Sequence, residues 1–81
     1  MNSERRTQLR VEERERATRE ATGLIREHYD DPDAWVRLAF SAGVGDDTVY
    51  HFDAFGPTLV ERPHVIVYRA GADLWEAVLG E

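Results

Sequence analysis

The chain has 81 residues, with 10 arginines and no lysine set against 16 carboxylates, for a net charge of -6. A chain of this length forms one small domain, 1–81, burying only about 60–65 % of its unfolded surface, and its 42 % apolar content suits folding rather than disorder. The absence of cysteine and lysine excludes disulfides, thiolate nucleophiles, thiolate zinc sites, Schiff bases and a P-loop ammonium.

Charge is uneven along the chain. Residues 1–28 hold seven arginines and six glutamates, whereas residues 29–81 hold three arginines and ten carboxylates. No apolar run follows Met1–Arg6, and no stretch approaches the roughly 18 apolar residues needed to span a bilayer. A cytoplasmic protein without signal peptide or membrane segment is expected.

Helical periodicity covers residues 1–28, starting near Ser3 or Glu4, with Glu12–Arg16 and Glu15–Arg19 in the favourable i,i+4 order. The apolar stripe Ala17, Ala21, Leu24, Ile25, His28 gives a burying face to the C-terminal half alone, so the first half is expected to protrude. Gly23 interrupts the stripe and suggests a kink or a close backbone approach. Asp30-Asp31-Pro32-Asp33 then stops the helix, because a residue preceding proline avoids the helical region.

The period changes from 3.6 to 2 in the next segment, 34–69, which reads as a sheet. Val36, Leu38 and Phe40 alternate with Trp35, Arg37 and Ala39, and Tyr50 and Phe52 alternate with Val49, His51, Asp53 and Phe55. The turn Gly43–Asp47 joins these two strands as a hairpin. Leu59-Val60 reads as an extension of the third strand, His64–Arg69, with Pro63 confining it to an edge or bulge. Asp73 and Glu76 resemble a capping box opening a short helix over 73–80 that ends at Gly80. The expected fold is α+β: an N-terminal helix, a three-stranded antiparallel sheet (hairpin plus third strand), and a short C-terminal helix.

These strands are apolar on both faces. One helix with half a burying face covers one side of the sheet, which leaves Trp35, Val49, Phe55, Ile66 and Tyr68 as a second apolar face. Burial by a second copy is the expected remedy, since most oligomers are symmetric dimers; coverage by the short C-terminal helix is the alternative.

Three groups of residues invite a chemical reading. His51 and Asp53 share a strand face, and His64 lies near them if the strands pair, a set able to bind a divalent metal or support acid–base chemistry. Their spacing matches no metal signature, so ordinary strand residues are expected and no metal, cofactor or catalytic residue is assigned. Arg5, Arg6, Arg10, Arg14 and Arg16 can contact phosphates, but Glu12, Glu13 and Glu15 interleave with them, and nucleic-acid binding wants a net basic face. The acidic run Asp30–Asp33 contains a proline and lacks both the turn glycine and the bidentate glutamate of a calcium loop.

Arginine-only basicity, the aspartate-rich turns Asp30-Asp31-Pro32-Asp33 and Gly45-Asp46-Asp47, and the absence of cysteine together resemble small haloarchaeal proteins. The resemblance covers the whole chain, is compositional, and implies no activity. An acidic surface stays hydrated in concentrated salt; GC-rich codon usage, which replaces lysine by arginine, gives the same composition. The expected function is a non-catalytic, homodimeric interaction module, with an unidentified protein partner as a further possibility. The alternatives are a nucleic-acid-associated regulator using the arginine-rich helix, and a small metal protein or enzyme built on His51, Asp53 and His64.

Overall fold

The computed structural model describes residues 3–80, with side chains from residue 11 onward. Helix α1 spans Ser3–His28 and buries Ala17, Ala21 and Ile25, with Leu24 partly covered beside them. The buried residues lie four apart, as a single helical face requires. Gly23 is exposed, and a Cβ there would meet nothing within 4 Å, so it marks no close approach. His28 falls outside the buried stripe and lies edge-on to the Tyr29 ring. A 26-residue helix is about 39 Å long, whereas strands of 6–8 residues reach about 20–26 Å. The helix therefore overshoots the sheet, and the molecule measures 46 Å along its longest axis.

The helix ends in a Schellman arrangement. Asp31 N–H donates to Arg26 O at 3.0 Å and Asp30 N–H to Glu27 O at 3.4 Å, with Asp30 in the left-handed region at φ 51. The next residue fixes the chain's course. The Asp31 carboxylate is buried and accepts hydrogen bonds from Thr58 Oγ1 at 2.8 Å, Thr58 N at 3.2 Å and Asp33 N at 3.0 Å. Burial pushes its pKa up, but these hydrogen bonds and the Arg26 charge outweigh burial and hold it below the ordinary value. Gly56 makes this possible, since a Cβ there would stand 2.6 Å from Asp31 Oδ2 and 3.2 Å from Ala34 Cα.

Four strands follow: β1 Trp35–Ala42, β2 Val49–Phe55, β3 His64–Arg69 and β4 Trp75–Gly80. They form one antiparallel sheet in the order β1-β2-β3-β4, with a short 3-10 turn Gly45–Asp47 inside the first connection. The connection from β2 to β3 is irregular, so Leu59 and Val60 do not lengthen β3; Leu59 packs on the core and Val60 is 99 % exposed.

The C-terminal segment corrects the expected three-stranded sheet and short helix 73–80. Trp75, Ala77 and Leu79 turn inward and Glu76, Val78 and Gly80 outward, a period of 2 that a six-residue segment satisfies as readily as a period of 3.6. Pairing along β3 gives every residue of the segment a partner, whereas a two-turn helix carries an unrecovered nucleation cost. Asp73 and Glu76 therefore form no capping box. The turn closes instead through Ala70 N–H to Leu74 O at 2.8 Å.

The core lies between α1 and one sheet face. Phe52 is its largest wholly buried side chain, flanked by Tyr50, Ala54, Val65 and Val67 and by Val36, Leu38, Trp75, Ala77 and Leu79 at the margins. Glu13 ties the helix to this layer, accepting from Tyr50 Oη at 3.3 Å and from Arg69 Nη2 at 3.5 Å. Burial, then the Glu13 charge, raises the Tyr50 pKa despite Arg69 and Arg14 nearby.

Candidate functional site

The register of the four strands sets out the second sheet face in rows. Trp35 stands opposite Phe55. The next row is Arg37, Asp53, His64, Gly80; then Phe40, His51, Ile66, Val78; then Ala42, Val49, Tyr68, Glu76. Trp35, Val49, Phe55, Ile66 and Tyr68 thus share one face, as alternation predicts. Among the described residues, no helix lies over it, which removes the C-terminal helix as its cover.

Phe40 joins this face through a bulge. The register shifts between Leu38 and Phe40, so Ala39 takes the extra place and Phe40 pairs with His51 instead of following Leu38 into the core. This corrects the expectation that Val36, Leu38 and Phe40 share one side. Phe40 is 53 % exposed and stacks on the His51 ring at 4.2 Å with an interplanar angle of 13°. Val78 arrives from the unexpected fourth strand. The third row is consequently an unbroken band of Phe40, His51, Ile66 and Val78.

At one corner Trp35, 51 % exposed, stacks on Phe55 at 4.4 Å. The guanidiniums of Arg37 and Arg62 lie 5.1 and 5.2 Å from the Phe55 ring centroid. Each such contact is worth about 0.5–1 kcal/mol at an exposed site. Arg62, on the connection between β2 and β3, carries no periodic signal that assigns it to this corner. At the diagonally opposite corner Tyr68 Oη donates to Glu76 Oε2 at 2.6 Å, and this bond to a carboxylate is the main cause of the raised Tyr68 pKa.

His51, Asp53 and His64 do meet on this face. His51 Nδ1 and His64 Nε2 are 2.9 Å apart, and His64 Nδ1 lies 3.7 Å from Asp53 Oδ1. Gly80 gives the His64 ring its space, since a Cβ there would sit 2.7 Å from His64 Cδ2. One imidazole donates and the other accepts, so a second proton breaks the bond and places two cations in contact. Burial, followed by the His64 charge, accordingly lowers the His51 pKa. The pair faces an open surface with no enclosing wall. Among the described residues, no group of three His, Asp or Glu side chains is arranged to hold a metal ion.

On α1, Arg16 pairs with Glu20 at 3.0 Å instead of with Glu12, while Glu15 and Arg19 form no ion pair with each other. Arg14 and Arg16 lie on the described part of the helix; the side chains of Arg5, Arg6 and Arg10 lie outside the described residues. A shallow groove of about 500 Å³ runs between α1 and β4, lined by Arg16, Arg19, Glu20, Gly23, Leu24 and Ala77. No described helix is long and apolar enough to cross a membrane. Comparison with family models, curated proteins and solved structures gives no match.

Proposed function

We propose that this chain is a small, non-catalytic interaction module of the cytoplasm, salt-adapted in the haloarchaeal manner, which works as a homodimer through the open face of its sheet. The observation that supports this reading is the surface carrying Trp35, Phe40, Val49, Phe55, Ile66, Tyr68 and Val78 with no element of the chain over it. Monomers rarely leave so many large apolar side chains together on one open sheet face in water. A two-fold contact buries it twice with one surface.

The size of the face sets the strength. Strands about 4.8 Å apart, with about 6.8 Å between same-face residues, outline a patch about 14 by 20 Å. Side-chain relief adds to that flat area, and the doubled contact has the size of small, weak interfaces. Each copy carries -6, so association also works against mutual repulsion. Screening in concentrated chloride removes that opposition, which links the acidic composition to the dimer.

Sedimentation equilibrium of the wild type and of Trp35→Asp, in about 0.1 M and 2 M KCl, spans Debye lengths from about 10 Å to below 3 Å. The wild type should approach twice 9.3 kDa, more completely at high salt, and Trp35→Asp should stay near 9.3 kDa. A wild type at 9.3 kDa under all conditions contradicts the proposal. A melting temperature indifferent to chloride favours codon usage over salt adaptation.

A further inference from the structure

The charges on the open face are placed asymmetrically. Arg37 and Arg62 flank Phe55 at the β1 corner, and Glu76 stands at the β4 corner on the opposite diagonal. Three strand spacings and two rows separate Arg37 from Glu76, about 20 Å, so they cannot meet within one copy. The ion pairs among the described residues engage Arg16, Arg69 and His64, and neither Arg37 nor Arg62 takes part in one. Asp53, opposite Arg37 across the strands, turns to His64. In a chain with 16 carboxylates and 10 arginines, two guanidiniums share one aromatic ring on this face and neither forms an ion pair among the described residues.

We propose that the second copy docks with its strands crossing at about 90°, so that Arg37 and Arg62 of each copy meet Glu76 of the other. This rests on the homodimer reading and specifies its geometry. In a face-to-face pair the two-fold axis lies in the plane between the sheets. An axis along the strands exchanges the β1 and β4 edges within a row, placing Arg37 over Gly80. An axis across the strands exchanges their ends and places Arg37 over Phe40. Only an axis along the diagonal joining the Ala42 and Gly80 corners brings the arginine corner onto the Glu76 corner. The strands then lie about 45° from the axis and cross those of the second copy near a right angle, one of the two packings sheets adopt. The same operation lays Trp35 along the outer edge of β4 beside Glu76, and sets His51 and Ile66 near the axis against their own copies.

Charge reversal tests this geometry. Arg37→Glu with Arg62→Glu in one chain, and Glu76→Arg in another, should each raise the homodimer Kd about tenfold or more at about 0.15 M KCl, because like charges then meet at both corners. Glu76→Arg is the sharper variant, since it lowers the net charge from -6 to -4 and so relieves general repulsion. Glu12→Arg makes the same change of charge on an exposed part of α1 and should not weaken the pair. Mixing the two reversed chains restores opposite charges at both corners, and native mass spectrometry should show the mixed pair exceeding either homodimer. The neutral variants Glu76→Gln and Arg37→Gln serve if a reversed chain fails to fold; each should weaken the pair by a smaller factor. A wild-type dimer whose reversed chains still self-associate and form no excess of mixed pair overturns this geometry and leaves the homodimer standing. A wild type that is monomeric throughout overturns both.

Discussion

Phe40 and Phe52 stand on opposite sides of the sheet, and truncating each measures the consequence of the bulge. Phe52 is 0 % exposed beneath α1, so Phe52→Ala removes a wholly buried ring and should cost about 3–5 kcal/mol. Phe40 is 53 % exposed and gains mainly from its stack on His51, so Phe40→Ala should cost about 1–2 kcal/mol in the monomer. A domain of this length has about 4–12 kcal/mol in total, so the first variant sits near unfolding and the second does not. Urea titration followed by circular dichroism, at a protein concentration well below the dimer Kd, reads the difference as separate midpoints with equal slopes. Raising the concentration through the Kd should increase the cost of Phe40→Ala and leave that of Phe52→Ala nearly unchanged. Equal losses for the two variants in the monomer would refute the bulge and return Phe40 to the core.

Gly23→Ala adds a methyl group into open space on a helix, so it should stabilise the fold by about 0.5–1 kcal/mol, read by the same titration; destabilisation would mean that Gly23 holds a backbone approach after all. Asp31 has a folded pKa below 3.8, so its contribution to stability is complete above that value and is lost as pH falls through the lowered one; Asp31→Asn should destabilise the protein at neutral pH, by an amount that shrinks in acid melts. His51 has a folded pKa below 6.5, so the unfolded chain takes the proton first and the protein loses stability as pH falls from 6.5 through the folded value. His51→Gln should flatten that part of the pH–stability curve, and an unchanged curve would place the titration elsewhere.

Much of this arrangement is legible in the residues because local signals and tertiary packing agree. Ala17, Ala21 and Ile25 announce the buried stripe of α1, and strict alternation in Val49–Phe55 separates Phe52 from His51. The grouping of His51, Asp53 and His64 follows from one strand's period and one antiparallel neighbour. Three of the departures have distinct physical sources. Trp75–Gly80 is too short for periodicity to separate helix from strand, and the open edge of β3 decides in favour of a strand. The bulge at Ala39 adds one residue to an otherwise regular alternation, and no residue type in that stretch demands it. Asp31 reads as part of a polar helix stop, yet its partner Thr58 lies 27 residues away, beyond any local pattern.

Closure of the open face against a second copy is reported by the tryptophan at its corner. The chain has two tryptophans, so Trp75→Phe leaves Trp35 as the sole emitter. Trp35 is 51 % exposed in the single chain, and acrylamide should quench it readily at low protein concentration. Quenching should fall as the concentration is raised through the range in which the mass doubles in 2 M KCl. A doubled mass with Trp35 as accessible as before would place the interface on another surface and contradict the account.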